Sequence, residues 1–226
     1  MSKRVLIVTT SESKINGKAD KNTGLWLEEF AVPYNEFKNA GLDVDVVSIS
    51  GGKVPLDPNS LPEEEQPEFN EAKEQLKNTP KLKVENLNDY DAIYLPGGHG
   101  TMFDFPQSET LTEVVSDFAR KNKPIGAVCH GPSGLVNATL EDGASIVSGK
   151  QINGFTNSEE EGMKLTDEMP FLLESKLKEK GGQFVRGDDW TDFAVTDGLL
   201  VTGQNPMSSA SVARQLVEVI IRQEAS

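Results

Sequence analysis

The stretch Pro124-Ile-Gly-Ala-Val-Cys129-His130-Gly131-Pro132 decides the fold of this chain. It begins as a short apolar run, which is typical of a strand covered on both faces, and it ends in a cysteine followed by small turn residues. A tight turn from a strand into a helix lifts one side chain above the carboxyl end of a sheet, where parallel sheets bind ligands. The stretch therefore predicts a parallel sheet that presents Cys129 as a nucleophile. The alternative is a cysteine that only fills space in the core.

Similar apolar runs recur along the chain and are separated by segments with helical spacing. The strand candidates are Arg4–Thr10, Asp43–Ile49, Asp91–Leu95 and Pro124–Val128, with weaker ones at Ser145–Ser148, Gln183–Val185 and Leu199–Thr202. After Pro206, apolar residues recur on one face of a predicted helix. This alternation predicts an α/β fold, a mostly parallel sheet with helices on both faces.

The organisation of the chain predicts one domain over residues 1–226, with a helical insertion at about 55–88. The insertion is rich in Glu, Lys and Asn, and its acidic run Glu63–Glu65 is typical of a solvated helix face. No shift in composition marks a linker between domains.

Composition limits the classes of function. The 226 residues include 36 acidic and 22 basic ones, which gives a formal charge of −14. Such a field repels phosphate backbones and anionic lipid surfaces, so we expect no nucleic-acid and no membrane partner. The single cysteine excludes an internal disulfide, and no apolar run is long enough to span a membrane. These observations predict a cytoplasmic protein.

A second strand runs into a glycine-rich turn at Tyr94-Leu-Pro-Gly97-Gly98-His99-Gly100-Thr101. Consecutive glycine N–H groups can bind a developing negative oxygen, although the glycines are equally explained by an ordinary turn. The only two histidines, His99 and His130, lie in the two turns. His130 is the better candidate for proton transfer because it adjoins Cys129. One cysteine and two histidines make a zinc site improbable, so we expect no metal.

The helix after the first strand contains Pro33. Proline has no N–H, so the carbonyl of Glu29, four residues earlier, loses its usual helical partner. We expect a kink there, with Glu29 at an irregular position.

Five motifs together resemble the ThiJ/PfpI superfamily, and more narrowly its branch of heat-shock chaperones and glyoxalase III enzymes. They are the Ala-Val-Cys-His-Gly-Pro turn, the Pro-Gly-Gly-His-Gly-Thr turn, Thr23-Gly24 leading to Glu29, Gly154-Phe155-Thr156, and Thr202-Gly203-Gln204-Asn205-Pro206. The resemblance spans nearly the whole chain. It implies a flavodoxin-like sandwich related to class I glutamine amidotransferase domains, usually as a homodimer.

The resemblance also implies roles for individual residues. Cys129 matches the nucleophile, His130 the adjacent triad histidine, and Glu29 the acid that hydrogen-bonds the cysteine. Glu160 matches the third triad carboxylate, with its neighbour Glu159 as the alternative. The resemblance implies that the substrate oxygen binds at residues of the glycine-rich turn, Gly97, Gly98 and His99, and at the backbone N–H of His130.

Enzymes of this branch convert methylglyoxal or glyoxal without glutathione, cofactor or metal, and methylglyoxal becomes lactate. Protein deglycase activity is a further expectation. The chemistry begins with thiolate attack, so we expect a lowered pKa at Cys129 and a raised one at Glu29.

Other functions of the same cysteine remain open from the sequence. A stress-response chaperone or a redox sensor would use the same reactive thiol. Glutaminase activity is disfavoured, because class I glutamine amidotransferases use a histidine well downstream of the cysteine and none follows His130.

Overall fold

The computed structural model describes residues 2–224. Eight strands are present: β1 Arg4–Thr9, β2 Asp43–Ser48, β3 Ala92–Leu95, β4 Ile125–Val128, β5 Gln151–Ile152, β6 Gln183–Phe184, β7 Ala194–Asp197 and β8 Leu200–Gly203. The α-helices are α1 Leu27–Asn39, α2 Asn70–Gln75, α3 Thr101–Asp104, α4 Glu109–Arg120, α5 Asn157–Gly162, α6 Leu173–Glu179 and α7 Ser209–Glu224. Among these residues, no helix is long and apolar enough to cross a membrane.

Six strands form one sheet in the order β2-β1-β3-β4-β8-β7. All neighbouring pairs are parallel except β7 and β8, which are antiparallel. The predicted α/β fold with a mostly parallel sheet is therefore confirmed. The carboxyl ends of β1, β3, β4 and β8 share one end of the sheet, where the loops that follow them meet.

Helices cover both faces of this sheet, and successive residues of β3 mark the two sides. The Tyr94 ring packs edge-on against Phe37 of α1. Leu95 points the other way, and its side chain together with Leu111 of α4 crowds the backbone at Gly134. The α1 and α7 helices pack against each other on the Tyr94 face. A strand buried on both faces explains why β3 and β4 are apolar at nearly every position.

Two of the weaker strand predictions differ from the structure, and one strand was not predicted. Residues 145–148 form turns rather than a strand, with a single bridge between Thr139 and Ser145. The strand at 183–185 is present only as β6, which pairs with β5 in a separate two-stranded sheet. The antiparallel edge strand β7 was not predicted. Its sequence, Ala-Val-Thr-Asp, contains a single β-branched apolar residue, and in the structure its side chains are partly exposed.

The predicted orphan carbonyl on α1 is present, but the helix continues through Pro33 without interruption. The hydroxyl of Tyr94 donates a hydrogen bond of 2.6 Å to the carbonyl oxygen of Glu29. This buried phenol replaces the N–H that proline lacks, and α1 places the Glu29 side chain at the end of the sheet, while the kink stays a prediction.

The segment between β2 and β3 carries α2 and packs on α1. Tyr34 donates to Glu71 at 3.0 Å, and the Asn35 amide donates to the carbonyl of Glu68 at 2.9 Å. Residues 79–82 run beside the carboxyl end of β2, where the Ser48 carbonyl accepts from the N–H of Leu82 at 2.8 Å. The division into one domain with an inserted segment stays a prediction.

Candidate active site

Cys129 follows β4 directly and adopts a left-handed backbone with φ of 60°, which is rare outside glycine. Two backbone hydrogen bonds fix this turn. The Cys129 N–H donates to the Gly203 carbonyl at 2.9 Å, and its carbonyl accepts from the N–H of Phe155 at 2.8 Å. The change of backbone direction breaks the alternation of a strand, so Cys129 and His130 lie on the same side. The Cys129 Sγ is 3.5 Å from Nδ1 of His130.

The turn continues into a short 3-10 helix, Gly131–Leu135, rather than the α-helix that the sequence predicted. A 3-10 helix of five residues sums few peptide dipoles, so it favours a thiolate less than a long α-helix would.

Glu160, near the start of α5, anchors His130 from the other side. Its Oε2 lies 2.6 Å from Nε2 of His130, and both side chains are buried. Cys129, His130 and Glu160 thus form a continuous hydrogen-bonded row in the order that the resemblance implies.

His99 lies on the second oxygen of the same carboxylate. Its Nε2 is 2.6 Å from Oε1 of Glu160, and its ring centroid is 4.2 Å from that of His130. Sequence reasoning placed His99 at the substrate, and it missed this contact because residue 99 and residue 160 are joined only through the fold. Phe155 packs against the His130 ring with centroids 4.3 Å apart and closes one side of the site.

Glu159 and Glu160 make different contacts in the structure, and the sequence carries a signal for the difference. Thr156 and Glu159 form a capping box at the start of α5, the pattern Thr-x-x-Glu. The Oε2 of Glu159 also accepts from the Trp190 N–H at 3.0 Å and from the Asn205 side chain at 2.9 Å. Glu159 therefore holds loops in place, and Glu160 is the residue that reaches His130.

Glu29 enters the site from α1 with no exposed surface. The Gly97 N–H donates to its Oε1 at 2.9 Å, whereas Oε2 has no hydrogen-bond partner among the described residues. A Cβ on Gly97 would lie 2.6 Å from the Glu29 carboxylate and 2.8 Å from the His130 nitrogen. Only glycine fits at this position.

Burial sets the protonation of the thiol and of the carboxyl beside it. It raises the pKa of Glu29 well above its usual value, as predicted. Burial also raises the pKa of Cys129, and the neighbouring charge of Glu29 raises it further. The expectation of a lowered thiol pKa is therefore wrong for the free site. Desolvation is the largest cause of both shifts, and both favour the neutral forms of the two groups.

The glycine-rich turn brings a backbone donor to the same site. Gly98 has φ of 104°, and a Cβ there would lie 2.0 Å from the carbonyl oxygen of Gly24. Within residues 2–224, neither the Gly98 N–H nor the His130 N–H donates to a protein acceptor. Both amides are thus available to an oxygen of a bound substrate.

The buried groups His99, His130 and Glu160 place possible metal-ligand atoms within 4.8 Å of one another. In a tetrahedral zinc site with bonds of about 2.0 Å, neighbouring ligand atoms lie more than about 3 Å apart. The two Glu160 oxygens are only 2.6 Å from the imidazole nitrogens, which is the length of a hydrogen bond. The arrangement therefore fits a shared carboxylate better than a shared ion.

Comparisons with known proteins agree with this geometry. The DJ-1/PfpI family pattern matches residues 23–219. The glutathione-independent glyoxalase HSP31 of Saccharomyces cerevisiae is 30% identical over 96% of this chain and 98% of its own. The protein/nucleic acid deglycase HchA of Staphylococcus aureus is 29% identical over 96% of this chain and 80% of its own.

A solved structure extends the likeness to three dimensions. The crystal structure of glyoxalase III from Candida albicans superposes with a TM-score of 0.87 at 29% identity, covering 96% of this chain and 97% of that one. These matches confirm the resemblance inferred from the motifs. On the length of the family match and the agreement in fold, the chain belongs to the DJ-1/PfpI family.

Proposed function

We propose that this protein is a glutathione-independent glyoxalase that converts methylglyoxal to lactate and glyoxal to glycolate. The observation that carries the proposal is the Cys129 thiol with the His130 Nδ1 at 3.5 Å on one side and the buried Glu29 carboxyl on the other. Relatives named as glutathione-independent glyoxalases cover nearly the whole chain.

In the first step, the Cys129 sulfur attacks the aldehyde carbon and a C–S bond forms. The thiol proton passes to Nδ1 of His130, and the new imidazolium is paired with Glu160. The N–H groups of Gly98 and His130 bind the oxygen as it gains negative charge. The product of this step is a hemithioacetal.

The second step moves hydrogen within the bound substrate. Glu29, ionised because it gave its proton to the hemithioacetal oxygen in the first step, takes the proton from the carbon attached to sulfur, while the imidazolium of His130 gives its proton to the neighbouring carbonyl oxygen, and an enediol results. Glu29 then returns its proton to the neighbouring carbon and the first hydroxyl gives its proton back to His130, which leaves a thioester. A carboxylate with a raised pKa is a stronger base, which suits removal of a proton from carbon. The resulting thioester is hydrolysed by water, releasing the hydroxy acid and the free thiol. The internal transfer needs no external oxidant.

Burial of the site favours free dicarbonyls over adducts on macromolecules. Cys129 is only 4% exposed, and His99 and Phe155 beside it are buried too. A three-carbon aldehyde needs little room, whereas an adduct on a protein or nucleic acid brings its carrier with it. Free dicarbonyls are therefore the substrates that the buried thiol favours. Protein deglycase activity is a further proposal for the same thiol, supported by the relative named as a protein/nucleic acid deglycase, and a homodimer stays a prediction.

Lactate formation from methylglyoxal in the absence of glutathione tests the proposal. The variants Cys129→Ser, Glu29→Gln and Glu160→Gln should each lower kcat/KM by at least about 100-fold, as expected when a nucleophile or proton-transfer group is removed. Glu161→Gln, which changes the exposed neighbour of Glu160, serves as the matched control and should keep wild-type turnover.

Either of two results would contradict the proposal. One is undiminished lactate formation by Cys129→Ser. The other is no turnover by a folded, fully reduced wild type, which would move the role of Cys129 toward redox sensing.

A further inference from the structure

Glu160 is shared by two imidazoles, and the proposed mechanism uses only one of them. His99 and His130 come from turns after different strands, β3 and β4, and each places Nε2 2.6 Å from a different oxygen of the carboxylate. All three side chains are at most 5% exposed. A buried arrangement of two rings on one carboxylate fixes that carboxylate in position and rotation.

We propose that His99 is a positioning residue, whose imidazole clamps Glu160 so that Glu160 holds His130 with Nδ1 directed at Cys129. This inference rests on the proposed function for its catalytic meaning. His99 acts through Glu160, and its Nε2 is already engaged there rather than at the substrate.

The protonation states follow from hydrogen-bond chemistry. Burial alone would raise the pKa of Glu160, but His130 and His99 hold it well below its usual value. An ionised carboxylate can only accept, so both Nε2 atoms carry the hydrogen. Burial lowers the pKa of His130, and the nearby His99 lowers it further, whereas Glu160 has the opposite effect. Because the net change is a lowering, His130 stays neutral and keeps a free lone pair on Nδ1. That lone pair faces the thiol.

The groups facing His130 come from four parts of the fold. Glu160 and Glu159 lie on α5, His99 follows β3, Cys129 precedes His130, and Glu29 reaches in from α1. Phe155 packs on both imidazoles, with centroids 4.3 Å from His130 and 6.0 Å from His99. His99 is the member of this set that can restrain the second oxygen of Glu160.

The variants His99→Gln and His99→Met test the proposal as a matched pair of similar shape. Glutamine keeps an N–H donor near the position of Nε2, whereas methionine has none. We expect His99→Met to lower kcat about 10- to 100-fold with KM little changed, the range typical of losing an outer hydrogen-bond partner. His99→Gln should recover a clear part of that loss.

An NMR titration supplies a readout that does not depend on turnover. The sequence has two histidines, so an untagged His99 variant shows His130 as its single imidazole. In His99→Met, Glu160 is no longer held at its second oxygen, so its contact with His130 loosens and the His130 pKa should fall below its value in His99→Gln. The Nε2–H tautomer should be retained in His99→Gln and become mixed in His99→Met.

Equal His130 pKa values, tautomers and kcat in the two variants would overturn the clamp. A stoichiometric divalent metal in the purified wild type, bound through His99, would overturn it as well. If the NMR differences are present but the wild type forms no lactate, the proposed function fails and the clamp stands. If lactate forms and the NMR differences are absent, the clamp fails and the proposed function stands.

Discussion

The Glu29 carboxyl combines full burial with one hydrogen bond to Oε1 and none to Oε2. Burial raises its pKa in the folded chain, so the folded state holds this proton at pH values where the unfolded chain has released it. Its contribution to stability is therefore complete below the unfolded pKa of about 4.3 and is lost as the pH rises through the folded value.

Replacing Glu29 by glutamine should remove this pH dependence. As the pH is raised from about 5 to about 8, we expect the unfolding free energy of Glu29→Gln to increase relative to that of the wild type. The reason is that the variant has no carboxyl group that must ionise while buried. Chemical denaturation at both pH values measures the difference. The exposed Glu64→Gln is the control, and an equal response of the two variants would refute the reasoning.

Single residues also mark how far the sequence could predict the site. Cys129 and His130 were identifiable because one local motif sets both the turn and the neighbour. The roles of Glu29 and Glu160 came only from the resemblance. Glu159 and Glu160 are both buried, and the capping-box pattern of Thr156 and Glu159 is the local signal that separates them. The clamp by His99 was missed because it depends on where α5 lies against the turn after β3.

At the scale of elements, α1 depends on a partner from the sheet. Pro33 removes one helical hydrogen bond, and the Tyr94 hydroxyl of β3 donates instead to the unpaired carbonyl oxygen of Glu29 at 2.6 Å. Tyr94 is fully buried, so without its hydroxyl that carbonyl would lack a partner in a dry environment. The proline and the tyrosine are thus coupled.

A double-mutant cycle tests this coupling. Tyr94→Phe should cost about 1–3 kcal/mol of stability, the usual penalty for a buried unsatisfied polar group. In the background of Pro33→Ala the helix regains its N–H, and the same change should cost clearly less. Thermal or chemical unfolding of the four proteins gives the coupling energy. Strictly additive effects would mean that the hydroxyl does not replace the missing donor.

The inner strands β1, β3, β4 and β8 were placed correctly because continuous apolar runs bounded by turns identify them. The edge strand β2 was also placed correctly, since its sequence contains three valines. The edge strand β7 lacks this pattern, since one side of it is half-exposed. The apparent strand at 145–148 contains two apolar residues that are buried in turns instead. A short apolar run therefore does not by itself distinguish a buried strand from a buried turn.

For the whole molecule, charge is the dominant long-range property. A formal charge of −14 surrounds the site with a negative potential that ions at 0.1 M screen over about 10 Å. A neutral aldehyde is indifferent to this field, whereas an anionic one is repelled before it reaches the site.

Glyoxylate, an aldehyde that carries a carboxylate, should therefore be a poor substrate that improves with salt. We expect its kcat/KM to rise about two- to tenfold between about 0.01 and 0.2 M sodium chloride, while that of methylglyoxal stays level. Steady-state kinetics at constant pH compare the two substrates. Parallel salt dependence would show that the net charge does not act at the site.

The depth of the thiol has a consequence for its survival. Exchange with oxidised glutathione requires the incoming sulfur to touch Cys129 with a tripeptide attached on each side. A side chain with 4% of its surface exposed leaves little room for that approach, although a small aldehyde passes. We therefore expect the single cysteine to resist mixed disulfides under conditions that would cap an exposed one, so the burial of the thiol also protects the nucleophile.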